Sequence, residues 1–242
     1  MFLNRFTRLK GLGRYACLGT AVLDKLGRKY KFHNIQKGRV DYLLNVMDNP
    51  SITCEPDKAV PHLARDYITP IIQQQSVICP EFAPELVLVD SFAELTDQLF
   101  RHKAEGWQFC SNYQDMRHDD GFTDAFENLG LIDLAGLKEH YTRLMQTISA
   151  RWGDIPVIYL HFPDALEHRE KFVARAREIR FVVEASAAAH PNLYSFSVPS
   201  VIVKHPDVVE PGMEDFPYHY SQKTYAAFAE MICRVPVLKK LF

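Results

Sequence analysis

The chain has 242 residues, of which 47% are hydrophobic and 24% charged, and its formal net charge is −2. This composition is typical of one soluble globular domain with a sizeable core, and it lacks the concentrated basic charge of a nucleic-acid-binding protein. The five cysteines show no disulfide or zinc spacing, which favours a reducing, cytoplasmic location.

The first third of the chain predicts a parallel β-α-β unit. A buried strand is expected over 15–19, a helix over 20–26 that ends at Gly27, and a second strand over 29–35. A helix over 40–47 follows and ends at the turn-forming Asn49-Pro50-Ser51. A further helix is expected at about 67–75.

The middle of the chain contains the clearest strand signal, an aliphatic run over 86–89. Such a run is typical of a strand covered on both faces. It ends at Asp90 and Ser91, and open α/β sheets bind their ligands at the carboxyl ends of their strands. A helix over 92–102 should follow, and then a lid-like insertion over about 107–130 that is rich in polar and aromatic residues.

The last part of the chain alternates helix and strand. Helices are expected over 134–150, 167–189 and 221–233, and strands over 157–161 and 192–198. The whole pattern predicts one domain over 1–242, a three-layer α/β/α sandwich around a doubly wound, mostly parallel sheet of about five strands.

A histidine in a late loop is the best candidate for a general base. His219 lies just before the last predicted helix, and Asp215 lies four residues before it. A loop can fix an imidazole so that a carboxylate orients it and stabilises its charged form. The alternative is that His219 is a solvated residue next to a helix start.

Three short motifs point to one known superfamily. The first predicted turn is Gly19-Thr20-Ala21, a middle strand ends at Asp90 before a helix that contains Glu94, and Pro217-Tyr218-His219-Tyr220 introduces the last helix. These motifs resemble those of the SGNH/GDSL hydrolases, and more closely the SGNH-like proteins of bacterial capsule and exopolysaccharide gene clusters. In those proteins the opening strand ends in Gly-Ser-Cys, and the last helix follows Pro-Phe-His-Tyr. The resemblance spans about 15–233.

The resemblance implies an esterase or acetyltransferase that acts on a surface polysaccharide or its precursor. Thr20 would be the nucleophile, His219 the base and Asp215 its orienting group. Hydrolysis would need no cofactor or metal, whereas a transferase would take acetyl-CoA as donor. The chain departs from the family because threonine replaces serine, Asp215 lies four rather than three residues before the histidine, and no Gly-x-Asn-Asp block follows the middle strand.

Several further residues are expected to contact the carbohydrate. They are Gly19, Asn34, Gly38, Asp90, Ser91, Asn112 and His161. Gly38 would supply a backbone N–H to an oxyanion hole, with Asn34 or Asn112 as alternative side-chain donors. Ser91 is either a rival nucleophile or the N-cap of a capping box with Glu94.

Two other functions remain open. The chain could be a catalytically lapsed SGNH scaffold that binds a glycan or an assembly partner, or a sugar transferase that uses Asp90 and His161. In the lid, Trp107, Tyr113 and Phe122 could stack on a sugar or simply anchor the segment. The basic and apolar ends, 1–10 and 235–242, could rest on an anionic membrane surface, peripheral to the inner membrane, or pack as ordinary termini.

Overall fold

The computed structural model describes residues 8–209 and 216–242. Its described part contains eight strands in two sheets. The strands are β1 Leu9–Arg14, β2 Tyr30–Asn34, β3 Leu86–Asp90, β4 Asp97–His102, β5 Gln108–Asn112, β6 Phe126–Leu131, β7 Val157–Leu160 and β8 Leu193–Phe196.

Five of these strands form an all-parallel sheet in the order β2-β1-β3-β7-β8. The chain moves outward from β1 to β2 and then crosses back to β3 on the other side of β1. This reversal makes a topological switch point between β1 and β3, where loops leave in opposite directions and open a crevice.

The described residues contain ten α-helices. They are α1 Cys17–Leu26, α2 Val40–Asp48, α3 Pro56–Ala59, α4 Thr69–Gln73, α5 Phe92–Thr96, α6 Asp120–Ala125, α7 Leu137–Trp152, α8 Glu170–Ala189, α9 Gln222–Arg234 and α10 Pro236–Lys239. Helices α3, α4 and α6 pack with the second sheet, formed by β4, β5 and β6, and most of the others flank the five-stranded sheet. Helix α1 packs against α9, while α7 packs against α2 and α8. The predicted fold class, a three-layer α/β/α sandwich, is confirmed.

The first strand lies earlier than the sequence pattern indicated. The predicted strand over 15–19 is wrong, because β1 covers Leu9–Arg14 and α1 already begins at Cys17. Two glycines in β1 hid the strand, since glycine is a poor strand former. They are needed there: a Cβ on Gly11 would lie 2.3 Å from the ring of Phe32.

The segment after β3 also differs from the prediction. Only Phe92–Thr96 is helical, and the chain then forms a three-stranded antiparallel sheet in the order β5-β4-β6. Much of the expected lid over 107–130 therefore belongs to this second sheet. Trp107 and Phe122 are buried in its aromatic core, so they anchor the segment, whereas Tyr113 is 46% exposed.

Two buried cations connect the second sheet to the loop after β2. The Lys37 ammonium lies 3.2 Å from Asp97 and 2.9 Å from Asp115. The Arg39 guanidinium donates a hydrogen bond to the carbonyl oxygen of Gly130 at 2.5 Å. Both cations follow the carboxyl end of β2. Their contacts therefore fix the three-stranded sheet against the carboxyl edge of the five-stranded sheet, where the switch point lies.

No helix in the described ranges is long and apolar enough to cross a membrane.

Candidate functional site at the switch point

A buried aspartate holds the switch point together. The Asp90 carboxylate accepts hydrogen bonds from the backbone N–H groups of Ala16 at 2.7 Å and Phe92 at 3.1 Å. It therefore links the end of β3 to the turn between β1 and α1. Burial raises the pKa of Asp90 to about 7, although the two N–H donors act in the opposite direction.

Cys17 lies close to this aspartate, because it directly follows Ala16, whose N–H donates to the Asp90 carboxylate. Cys17 is the first residue of α1 and is half-buried, and its Sγ is 3.6 Å from the carbonyl oxygen of Tyr218. Burial, and then the negative charge of Asp90, raise the pKa of the Cys17 thiol to about 12. The side chain is therefore a neutral thiol at physiological pH.

The loop before α9 covers the start of α1. The Tyr218 hydroxyl donates a hydrogen bond to Glu167 at 2.7 Å, and Arg169 pairs with the same carboxylate at 2.7 Å. Although burial acts in the opposite direction, the hydrogen bonds from Arg169 and Tyr218 lower the pKa of Glu167 to about 2. This charged cluster anchors the loop that contains His219.

His219 packs in a group with three neighbouring aromatic residues beside the carboxyl end of β3. The His219 ring lies 4.8 Å from the ring of Phe216, and the Tyr218 ring lies 5.5 Å from Phe216 and 5.6 Å from Phe92. Phe92, Phe216 and His219 are half-buried, so part of each ring faces solvent. We call Phe92, Phe216, Tyr218 and His219 the aromatic rim. Asp215 lies outside the described residues.

Thr20 does not lie at the end of the first strand, and this part of the prediction is wrong. It is the fourth residue of α1 and is exposed. Its hydroxyl is 3.4 Å from the carbonyl oxygen of Ala16, a hydrogen bond to the preceding helical turn. Gly19 is packed inside α1, where a Cβ would lie 2.4 Å from that of Tyr15.

The predicted oxyanion donors are engaged in local structure. The Gly38 N–H donates to Ile35 at 3.0 Å. The Asn34 amide both accepts from and donates to the backbone of Tyr15, at 3.1 and 3.0 Å. Asn112 lies at the end of β5, where its side chain accepts the N–H of Gln114 at 3.0 Å. The side chain of Asn34 therefore fixes the switch-point turn through two hydrogen bonds to the backbone of Tyr15.

Ser91 connects two strand ends and does not cap α5. Its hydroxyl oxygen accepts the N–H of Phe162 at 2.9 Å, and it makes no side-chain hydrogen bond to α5. The capping box with Glu94 is therefore wrong. Glu94 is fully buried, pairs with Arg14 at 2.6 Å and accepts the N–H of Val40 at 3.1 Å.

His161 lies at the carboxyl end of β7, as predicted, and is only 2% exposed. Its Nε2 is 2.8 Å from the Ser195 hydroxyl. Burial, and then the positive charge of Arg180, lower the pKa of His161 to about 3. The imidazole is therefore neutral over the physiological range and a weak base.

The structure thus brings together Asp90, Cys17 and the His219 loop, and it moves Thr20 one helical turn away from them. Sequence reasoning predicted His219 but missed Cys17 and the aromatic packing around His219. A cysteine three residues after a glycine-containing strand was the available signal, but it was hidden by the misplacement of that strand.

Among the described residues, no three histidine, cysteine, aspartate or glutamate side chains are grouped as a metal site. Comparison of the chain with models of known protein families and with curated proteins gives no match.

Proposed function

We propose that the switch-point crevice binds a carbohydrate without hydrolysing it, as a lapsed scaffold of the SGNH-like type. In the proteins that the sequence resembles, the opening strand ends in Gly-Ser-Cys. The turn after β1 is Tyr15-Ala16-Cys17. The sequence pattern alone sets that motif against Gly19-Thr20-Ala21, but the position of β1 sets it against this turn, with Ala16 in place of the nucleophilic serine. The lack of a hydroxyl group at Ala16 is the observation that carries the proposal.

The state of the neighbouring groups supports binding over hydrolysis. Thr20 is exposed, and its hydroxyl donates a hydrogen bond to the carbonyl oxygen of Ala16 at 3.4 Å, so it is engaged with the backbone and is not a free nucleophile. The Cys17 thiol is neutral because burial, and then the negative charge of Asp90, raise its pKa to about 12. A nucleophile needs a lowered pKa or an adjacent base, and the negative charge of Asp90 acts against thiolate formation.

The aromatic rim supports a sugar as the ligand. Partly exposed aromatic rings offer flat apolar faces, and the C–H groups on one face of a pyranose ring are also apolar. Phe92 and Phe216 are half-buried, and the Tyr218 ring between them is fixed by its hydrogen bond to Glu167. The rim is therefore rigid enough to hold a sugar without a large ordering cost.

A glycan array of bacterial capsular saccharides tests the proposal, followed by titration of the best ligand. Phe92→Ala should weaken binding about fivefold, which corresponds to about 1 kcal/mol for one aromatic contact. Phe181→Ala is the matched control, because Phe181 is 74% exposed on α8. Failure of the wild-type protein to bind any saccharide, or equal loss in both variants, would contradict the proposal.

Acyl transfer through Cys17 is the second candidate, and the position of Cys17 favours it. The thiol lies at the start of a helix, next to the carbonyl of the residue that precedes His219. His219 would take the thiol proton, sulfur would bond to the acyl carbon, and the protonated alcohol or coenzyme A thiol would leave. The oxygen of water or of a sugar hydroxyl would then bond to the acyl carbon, the bond from sulfur would break, and the proton of the attacking group would return to the Cys17 thiol through His219.

Mass spectrometry separates the two candidates. After incubation with acetyl-CoA or p-nitrophenyl acetate, a transferase would carry one acetyl group on Cys17, and Cys17→Ala would carry none. Cys233→Ala is the control, since Cys233 is also half-buried. Under the binding proposal neither reagent acetylates Cys17 at a catalytic rate, and saccharide binding survives the Cys17→Ala substitution.

A further inference from the structure

The amino end of the sheet carries a group of cations that the proposed function does not use. They are Arg8, Lys25, Arg28, Lys29, Lys239 and Lys240, and we call them the basic face. Arg8 precedes β1 and Lys29 precedes β2, and these strands are paired side by side, with the N–H of Leu9 bonded to the carbonyl of Lys29 at 3.0 Å. Arg8, Arg28 and Lys29 line one shallow surface depression.

The C-terminal segment joins this face although it is distant in sequence. The Arg28 guanidinium donates a hydrogen bond to the carbonyl oxygen of Leu241. Leu238 is fully buried in the core, which fixes α10, and Lys239 and Lys240 are exposed beside it. The tertiary structure therefore gathers cations from three separate segments at one end of the domain.

Within residues 8–209 and 216–242, these cations are not neutralised by ion pairs. Two acids lie near this end of the sheet: Asp24, which accepts a hydrogen bond from the Tyr30 hydroxyl at 3.0 Å, and Glu85, which accepts the N–H of Lys10 at 3.0 Å. The net charge of the whole chain is −2, so the local positive charge is a departure from the average surface.

Apolar side chains accompany the cations. Val237 is 43% exposed, whereas Leu241 and Phe242 are half-buried and packed against the main core. Cations mixed with apolar side chains favour a membrane surface over a purely polar polyanion, because the apolar groups can enter the headgroup region.

We propose that the basic face docks the domain on an anionic phospholipid bilayer. Each basic residue near such a surface contributes about 1 kcal/mol. The basic face lies at the amino ends of β1 and β2, whereas the switch point lies at the carboxyl ends of β1 and β3. Docking therefore leaves the crevice facing away from the bilayer and open to its ligand. The docking proposal does not depend on which ligand the crevice binds.

Vesicle co-sedimentation of the full chain tests this inference. Vesicles of phosphatidylglycerol mixed with phosphatidylcholine should sediment the protein, and vesicles of phosphatidylcholine alone should not. Combining Lys25→Gln, Lys239→Gln and Lys240→Gln should weaken partitioning about a hundredfold, which is about fivefold for each lysine. Added salt should weaken the wild type and affect this variant much less.

The control combines Lys138→Gln, Lys171→Gln and Lys204→Gln, which remove exposed lysines elsewhere on the surface. It should bind as the wild type does. Equal binding of the two triple variants, or equal binding of the wild type to both kinds of vesicle, would overturn the inference. Stronger binding to duplex DNA than to the mixed vesicles would assign the face to a polyanion instead, and would also overturn it.

Discussion

The His161→Phe substitution should remove a large part of the acid sensitivity of this protein. His161 is only 2% exposed and its pKa is lowered to about 3, by burial and then by the charge of Arg180. In the unfolded chain a histidine titrates near pH 6.5. Between about pH 3 and pH 6.5, His161 is protonated in the unfolded state and neutral in the folded state. The stability that comes from the neutral His161 is therefore present above about pH 6.5 and is lost as the pH falls toward 3.

The magnitude follows from the two pKa values. Each unit of pH between them changes the free energy of unfolding by about 1.4 kcal/mol. From pH 7 to pH 5 the wild type should lose about 2 kcal/mol through His161 alone. Asp90 and Asp97 have pKa values raised by burial, to about 7 and about 6, so their contribution to stability is present at low pH and is lost as the pH rises. Both carboxyl groups are retained in the variant, so their effect cancels in the comparison.

Urea unfolding at pH 7 and pH 5 measures this difference. The drop in stability between the two pH values should be about 2 kcal/mol smaller for His161→Phe than for the wild type. The exposed His168 provides a control, because His168→Phe should leave the pH dependence as it is in the wild type. If His161→Phe and the wild type lose the same free energy between pH 7 and pH 5, the reasoning about burial is refuted.

Three further predictions concern the switch point. Glu94→Gln should destabilise the fold by about 3–5 kcal/mol in thermal or urea unfolding, because it leaves the Arg14 charge buried without its partner. Glu127→Gln is the control, because it breaks the exposed pair with Arg101 and should destabilise the fold by less than about 1 kcal/mol. Gly19→Ala should lower the free energy of unfolding by about 1–3 kcal/mol through the clash with Tyr15, although alanine usually favours a helix. A stabilised variant would contradict this packing. Gly136→Ala is the control, because its Cβ would meet nothing closer than 3.4 Å. Iodoacetamide at neutral pH should alkylate Cys17 about a thousandfold more slowly in the folded protein than in urea, and mass spectrometry of each cysteine measures the rate. Equal rates in the two states would show that the thiol ionises normally.

The sequence by itself determined the fold class. The aliphatic run of β3, the long periodic helices near 137–152 and 170–189, and the alternation of helix and strand all depend on local patterns, which is why they could be predicted. The placement of Asp90, Ser91 and His161 at the carboxyl ends of strands was correct for the same reason.

Tertiary structure decided the position of β1 and the contents of the site. Gly11 in β1 is required by the ring of Phe32, which comes from the neighbouring strand, and a single-sequence pattern does not contain that contact. The misplaced strand put Thr20 at the switch point, where the structure has Ala16 and Cys17. The roles of Asp90, which holds the turn at Ala16, and of Tyr218, which covers Cys17, arise from residues 74 and 201 positions apart in the chain. Only packing brings such groups together, because their contacts depend on the strand order and not on any local propensity.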